Sequence, residues 1–318
     1  MSSPLFVLGV SRSGTTMLRV ILDRSSGIAI PDETFFVPQL AHRHRGVVDP
    51  AELLDDLRRL PRLAAWEVAA DDLAARLRPG MTIGQALDAV FTAYAAKHAK
   101  PRWGDKTPMY MRHLGLIDGL FPDAQYVHLI RDGRDAALAF LDMPEGVVTR
   151  TWAHPRSPAG FACEWTTEVA RARALGRRVG SSRYLEIRYE DLVADTEAVV
   201  RSACTFAGLP FDSAMLEYTG AVDVSAKPHH QRLLQPPTRG VRDWRSQMSH
   251  EDALAFEGIA GGVLAELGYE LLDPASSRPP RRAAVSRAWY RARMGAWNVA
   301  AHVTQRSPLW RRRHPQLF

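Results

Sequence analysis

The feature that most constrains this chain is the run Gly9-Val-Ser-Arg12-Ser13-Gly14-Thr15-Thr16, placed between an apolar segment and an amphipathic one. Leu5 to Val10 reads as a strand buried in a parallel sheet, and Met17, Leu18, Ile21 and Leu22 recur at helical spacing. The run is therefore the turn of a strand–loop–helix unit. Glycines let backbone N–H groups approach an anion, and the start of a helix adds a favourable dipole, so such a turn can cradle a phosphate. Thr15 and Thr16 place two hydroxyls in the first helical turn. The spacing is that of G-x-x-x-x-G-K-[ST], with Thr15 where the lysine stands. Without a lysine to reach β- and γ-phosphates, hydrolysis of a nucleoside triphosphate is disfavoured, and a ligand with a single 5′-phosphate fits better. Taken alone, the run also fits a Gly-Ser turn capped by threonine.

The rest of the chain repeats the same alternation. Gln125 to Ile130 predicts a second strand and Tyr184 to Ile187 a third, with helices from Arg134, over Phe161 to Leu175, Leu192 to Phe206 and Glu251 to Leu267. Alternating strands and helices predict an α/β fold with a central parallel sheet flanked by helices. Residues 50–100, interrupted by Pro50, Pro61 and Pro79, read as short helices covering the site. A length of 318 residues suits one large domain with an appendage. The expected division is a domain over 1–273, with a helical insert at about 40–100, and a basic helical tail over 274–318.

The net charge of +6 conceals an uneven distribution. From Arg278 onward there are ten arginines and no acidic residue, which leaves 31 basic against 35 acidic groups in the remainder. A mildly acidic body and a tail without a reader motif make nucleic acid the least fitting partner. Cys163 and Cys204 stand far apart without ligand spacing, which disfavours a zinc site or a disulfide scaffold. Met1 to Pro4 lead directly into the first apolar run without a basic leader, and no apolar stretch is long enough to span a membrane. A cytoplasmic location, free or peripheral at the inner membrane surface, is the expectation.

A second candidate anchor is Leu129-Ile-Arg131-Asp-Gly-Arg134-Asp135. In a doubly wound sheet, ligands sit beyond the carboxyl ends of strands, where this turn falls, and a guanidinium there can grip phosphate bidentately. A solvated Arg–Asp turn with a capping aspartate is the alternative.

Residues 4–38, with the loop and Pro31-Asp-Glu33-Thr-Phe-Phe-Val-Pro38, resemble the sulfotransferases that use 3′-phosphoadenosine 5′-phosphosulfate (PAPS). The likeness is greatest to the branch containing protein-tyrosine sulfotransferases and many bacterial enzymes. It continues over 103–140, 183–212 and 236–270, in the family's order. The resemblance implies the three-layer, P-loop-like sulfotransferase α/β fold and a metal-free transfer of a sulfuryl group from PAPS to an acceptor hydroxyl. It implies that Arg12, Ser13, Gly14, Thr15 and Thr16 hold the 5′-phosphosulfate, and that Arg131 contacts the 3′-phosphate. The family's serine eight residues after that arginine is Ala139 here. Arg239-Gly240 resembles a further contact on the same phosphate, and Tyr189 in Arg188-Tyr-Glu-Asp-Leu192 resembles a tyrosine near the adenine. On sequence grounds alone, Tyr189 fits the core equally well.

In-line sulfuryl transfer calls for a base on the acceptor and cations on the leaving phosphate. Glu33 aligns with the family's catalytic glutamate, with Asp32 a less favoured alternative, and a place near a helix start also explains an acidic residue there. Lys106, in Trp103-Gly-Asp-Lys-Thr-Pro108, matches a lysine near the transferred group, and Arg12 is the second cation. Lysines number four, against 37 arginines, so Lys106 is hard to dismiss as surface filling. Where the family has an arginine for peptide substrates, two residues after the glutamate, this chain has Phe35, which implies a less anionic acceptor: a small molecule, a sugar or a lipid.

Three weaker signals remain. His229-His230, beside Lys227 and with no acidic residue near in sequence, reads as part of a loop crossing the site. Nothing in the sequence decides whether His154 lines an acceptor pocket, and His128, in mid-strand, reads as structural. In the tail, Val285, Trp289, Ala292, Ala296, Val299 and Val303 form a helical seam with Arg287 and Arg291 on the other side. Docking of this seam on the body or a second subunit is favoured over a contact with an anionic membrane. Two rival functions stand beside sulfuryl transfer. A nucleotide kinase would need the loop lysine that Thr15 replaces, and a non-catalytic binder of adenosine 3′,5′-bisphosphate would not need Glu33 or Lys106.

Overall fold

Residues 3–143, 153–221, 242–278 and 280–305 are described in the computed structural model of the chain. The opening unit is β1 (Leu5–Leu8) and α1 (Thr15–Asp23). Residues 36–97 then form five helices: α2 (Phe36–Arg43), α3 (Pro50–Arg58), α4 (Pro61–Ala64), α5 (Ala70–Arg76) and α6 (Ile83–Lys97). The sheet resumes with β2 (Gly104–Asp105), α7 (Leu114–Leu120), β3 (Gln125–Ile130), α8 (Gly133–Leu141) and α9 (Pro158–Val179). It closes with β4 (Tyr184–Arg188), followed by α10 (Tyr189–Ala194), α11 (Thr196–Ala207), α12 (Trp244–Gln247), α13 (His250–Glu266) and α14 (Arg281–Gln305).

The four strands pair in parallel in the order β2-β1-β3-β4. Successive strand residues point to opposite faces, and both faces of β1 are buried. Leu5 and Val7 pack with Leu18 and Ile21 of α1 and with Val200 and Ala203 of α11. Phe6 and Leu8 pack with Phe91 of α6, Trp165 of α9 and Phe256 of α13. Three layers result. From β1 the chain steps to β2 on one side and then crosses to β3 on the other, so the strand order reverses at β1. In such sheets the crevice beyond the carboxyl ends of the strands at the reversal is where ligands bind.

Several element boundaries differ from the sequence reading, each for a local reason. β1 stops at Leu8 because the chain turns there, with Ser13 N–H donating to Val10 O at 3.1 Å. β2 is two residues long, too short to show a period, and exists only through its pairing with Leu5 and Phe6. The helix expected over Leu192 to Phe206 is two, divided at Asp195, whose carboxylate accepts from Ala198 N at 3.0 Å and starts the second. α9 starts earlier than expected, with Ser157 as N-cap and Pro158 in its first turn, and ends at Gly180. The boundary expected at 273 is not a break: Leu272 and Asp273 N–H groups donate to the buried Glu257 carboxylate at 3.0 and 3.2 Å. The turn over Pro274–Ser277 packs so closely on α13 that a Cβ on Gly261 would collide with Ser276 O.

The tail helix docks on the body by a face the sequence did not single out. Ala283, Tyr290 and Met294 are buried, with Tyr290 and Met294 against Ala153 and Cys163, whereas Val285, Trp289 and Val299 of the expected seam are 66, 62 and 65% exposed. Polar anchoring decides the rotation. Tyr290 donates to Glu164 at 3.0 Å, and Arg287, placed by sequence on the outer side, donates to Ile259 O at 2.8 Å. Arg112 completes the cluster beneath, at 3.3 Å from Glu164 and 2.9 Å from Glu168.

Candidate active site

The site is assembled by strand register. Ala29 bridges Trp103 in parallel, with Gly104 N–H donating to Ala29 O at 2.9 Å. Glu33 comes shortly after Ala29 and Lys106 shortly after Trp103, so two turns 73 residues apart in sequence emerge side by side. The Lys106 ammonium donates to Glu33 Oε1 at 2.5 Å and to Thr16 Oγ1 at 3.1 Å, which joins all three to the start of α1. Lys106 is 2% exposed, while the Glu33 side chain retains 25% exposure. Burial pushes the Lys106 ammonium below its ordinary value, and the Glu33 charge beside it pulls it back. An ammonium carries three donors, so one N–H of Lys106 remains without a partner among the described residues.

A buried polar network fixes the two turns against each other. Thr34, next to Glu33, donates to Asp105 Oδ2 at 2.6 Å, and its own N–H donates to Thr107 Oγ1 at 3.0 Å. Tyr110 lies 2.6 Å from the Thr34 hydroxyl and accepts from Val37 N at 3.2 Å. Desolvation pushes the Asp105 carboxyl up to about 7, against the pull of its hydrogen bonds and of Lys106. Outside this network, Arg62 of α4 donates to Glu33 O at 2.9 Å and lies over the Phe35 ring at 4.2 Å. Phe35 itself adopts a left-handed conformation (φ 59°) at the start of α2, which turns the chain sharply after Glu33. Asp32, the alternative to Glu33, is salt-bridged to Arg19 at 3.2 Å, and its charge acts on Lys106 less than that of Glu33 does.

The phosphate loop and the second anchor also meet. Arg131, at the end of β3, donates through Nη1 to Arg12 O at 3.2 Å, and its guanidinium lies 4.6 Å from the Tyr189 ring centre. The same ring packs on Gly14: a Cβ there would fall 2.5 Å from it, and the Gly14 φ of 90° suits glycine. Arg12 shares the left-handed region (φ 72°), so the loop reverses twice within three residues. Thr15 is buried at the first position of α1, and a Cβ on Gly9 would fall 2.5 Å from its methyl. Ser13 Oγ and Arg131 Nε are buried with no hydrogen-bond partner among the described residues. Orphaned donors around the start of a helix fit an anionic group such as a phosphate. Arg239 and Gly240 lie outside the described residues, as do His229 and His230.

Arg134 has a different fate from Arg131. It is wholly buried, paired with Asp132 at 2.7 Å and Glu257 at 2.6 Å, and covered by Trp244 at 3.7 Å. Asp132 also caps α8, by accepting from Arg134 N at 2.9 Å. Ala139 is buried on the same helix. His128 is structural in its contacts: it is fully buried, 2.6 Å from the Tyr184 hydroxyl, with burial holding its ring neutral down to about 3.

Residues 4–213 match the sequence profile of the Sulfotransferase family, about two thirds of the chain. The chain belongs to the sulfotransferase family. Among curated relatives it is 28% identical over 287 residues to the nodulation protein NoeE of Sinorhizobium fredii, a match covering 83% of this chain and 65% of that protein. It is 25% identical to protein-tyrosine sulfotransferase A of Caenorhabditis elegans, covering 87% and 68%. Among solved structures, the sulfotransferase domain of the curacin biosynthetic pathway superposes with a TM-score of 0.61 at 21% identity, over 85% of this chain and 99% of that domain. The sulfotransferase domain of the Synechococcus olefin synthase gives 0.59 at 24% identity, over 85% and 97%. These likenesses confirm the three-layer α/β fold of this sulfotransferase.

Some residues that build the site escaped the sequence reading. Thr34, Asp105 and Tyr110 hold the two turns together, and each lies within or beside a quoted motif, where only its neighbour drew notice. Glu190, next to Tyr189, accepts from Asp132 N and from Tyr269 OH, both at 2.9 Å, and so ties the turn after β3 to the end of β4. Arg62 carries no local signal at all. It reaches Glu33 only because the insert folds back over α2.

Proposed function

We propose that this sulfotransferase moves a sulfuryl group from PAPS to an acceptor hydroxyl, with Glu33 as general base and Lys106 and Arg12 as the cations that meet the leaving phosphate. The observation that carries this reading is the contact of Glu33 and Thr16 with one buried ammonium, Lys106, beside a loop whose donors fit an anion. Bound PAPS would supply a sulfuryl group on a phosphate leaving group. Arg12, Ser13, Gly14, Thr15 and Thr16 would hold its 5′ end through backbone N–H groups and hydroxyls. Arg131 would take the 3′-phosphate, joined by Arg239 and Gly240, with Tyr189 beside the adenine.

Glu33 keeps part of its carboxylate exposed, so an acceptor hydroxyl can reach it and pass on its proton. Protonation of Glu33 removes the charge that Lys106 faces. The ammonium is then available to the charge growing on the phosphate oxygen. Thr34, Tyr110 and Asp105 keep both groups in place during this exchange, since their bonds do not involve the reacting atoms.

The acceptor would be a hydroxyl on a small molecule, sugar or lipid, in keeping with Phe35. The test is transfer of labelled sulfate from PAPS to a metabolite extract of the source cells. Glu33→Gln should lower turnover by about 10²–10⁴-fold. Near-normal turnover of that variant would remove Glu33 from the mechanism. Turnover of ATP in place of PAPS would favour a kinase, and acidic tyrosine peptides as best acceptors would overturn the acceptor class. Calorimetry showing no association with adenosine 3′,5′-bisphosphate would end the enzyme assignment.

A further inference from the structure

The docked tail leaves an apolar face with no partner among the described residues of the body. At 3.6 residues per turn, Ala283, Arg287, Tyr290, Met294 and Trp297 gather on one side of α14, where Ala283 is buried, Trp297 packs on the shared apolar cluster and the other three touch the body. Val285, Trp289, Ala292, Ala296 and Val299 gather on the opposite side, and the three large residues among them are each more than 60% exposed. The polar anchors Tyr290–Glu164 and Arg287–Ile259 hold this seam outward. A helix docking merely to bury its apolar face would have turned the other way.

The charge around the seam narrows what can cover it. Arg281, Arg282 and Arg293 border it, and the Arg293 guanidinium lies over the exposed Trp289 ring at 5.2 Å. Beyond Asp273 the sequence holds ten arginines and no carboxylate, so no acidic side chain of the tail neutralises them. A second copy presenting the same seam would press arginine against arginine. A nucleic acid would meet the arginines but leave Val285, Trp289 and Val299 without an apolar contact. An anionic lipid surface satisfies both features at once, with apolar side chains among the upper acyl chains and guanidinium groups at the phosphates.

We propose that α14 is a membrane-surface helix that lies seam-down on anionic lipid while its other face stays on the sulfotransferase body. The inference rests on the tail alone and does not depend on the acceptor or on the assignment of Glu33. It makes the chain a peripheral protein of anionic lipid surfaces.

The test is co-sedimentation of the full chain with vesicles of phosphatidylcholine alone and of phosphatidylcholine mixed with phosphatidylglycerol. Binding to the mixed vesicles, weak binding to the neutral ones, and weakening by added salt are expected. Trp289→Glu should lower the bound fraction at least roughly tenfold, as should Arg281→Glu with Arg282→Glu, given that affinity combines apolar insertion with charge. All three positions are exposed, so thermal melting should be unchanged, which separates lost binding from lost folding. Absence of sedimentation with the mixed vesicles would overturn the proposal, and so would unaltered binding of the folded Trp289→Glu variant. Light scattering that showed a dimer dissolved by Trp289→Glu would assign the seam to a second copy instead.

Discussion

Arg134 and Lys106 are both buried cations near the carboxyl edge of the sheet, and their surroundings are opposite. Arg134 has two carboxylates, the Glu270 carbonyl and an indole face around its guanidinium, with bonds of 2.6 to 3.0 Å. Lys106 has one carboxylate and one hydroxyl, and a donor left over among the described residues. The first arrangement is closed and holds α8, α12 and α13 together. The second is open on the side where Glu33 meets solvent. A buried charge whose bonding capacity is full is part of the architecture, and one with capacity left is set up to meet something else.

The contrast yields four measurements. Lys106→Ala should reduce sulfuryl transfer by about 10²–10³-fold, by analogy with loss of one donor to a developing charge, with little change in melting temperature. A large fall in melting temperature instead would make Lys106 a structural ion like Arg134. Arg134→Met should lower unfolding free energy by about 3–5 kcal/mol, because it strands buried carboxylates, while the folded protein keeps its nucleotide affinity. Denaturant unfolding with calorimetry decides this, and a stable variant that binds nucleotide poorly would move Arg134 into the site. Arg131→Ala should weaken adenosine 3′,5′-bisphosphate by roughly tenfold to a hundredfold, with stability nearly intact. Unchanged affinity would leave the 3′-phosphate without its proposed anchor.

The fourth measurement concerns Asp105, in the network behind Lys106. Its carboxyl is raised from 3.8 to about 7 in the fold, so between those values the native state binds more protons than the unfolded chain. Its contribution to stability is therefore present at low pH and is lost as pH rises towards 7. His128, held neutral down to about 3, acts with the opposite sign below its ordinary value of 6.5, so the readout is the difference between wild type and Asp105→Asn. Stability of the variant should decline less between pH 4 and 7. Parallel curves for the two proteins would show that Asp105 ionises in the fold as it does in water.

Much of the fold was legible in the sequence, for a physical reason. A strand buried on both faces is an unbroken apolar run, so Leu5 to Val10 and Gln125 to Ile130 announced themselves. β2 did not, since two residues have no period and their pairing depends on a partner a hundred residues away. Glu33 and Lys106 were each visible from their motifs, but not their contact. Arg131 and Arg134 are alike in local sequence, where only the family resemblance singled out Arg131, and the position of Glu257 and Trp244 makes Arg134 structural. In the tail, hydrophobic spacing marked the wrong face, because two hydrogen bonds and a buried tyrosine set the rotation of a helix whose apolar seam is weak.

The sequence by itself determined the strand–loop–helix unit, since Gly9 through Leu22 act on one another within a few residues and their conformations follow from local sterics and hydrogen bonding. Tertiary structure alone decided that the Glu33 turn rises beside the Lys106 turn, that Arg131 reaches back to the loop, and that Trp289 faces outward. Those outcomes depend on strand register and helix rotation, which are settled by contacts between segments far apart in the chain and leave no trace in either segment alone.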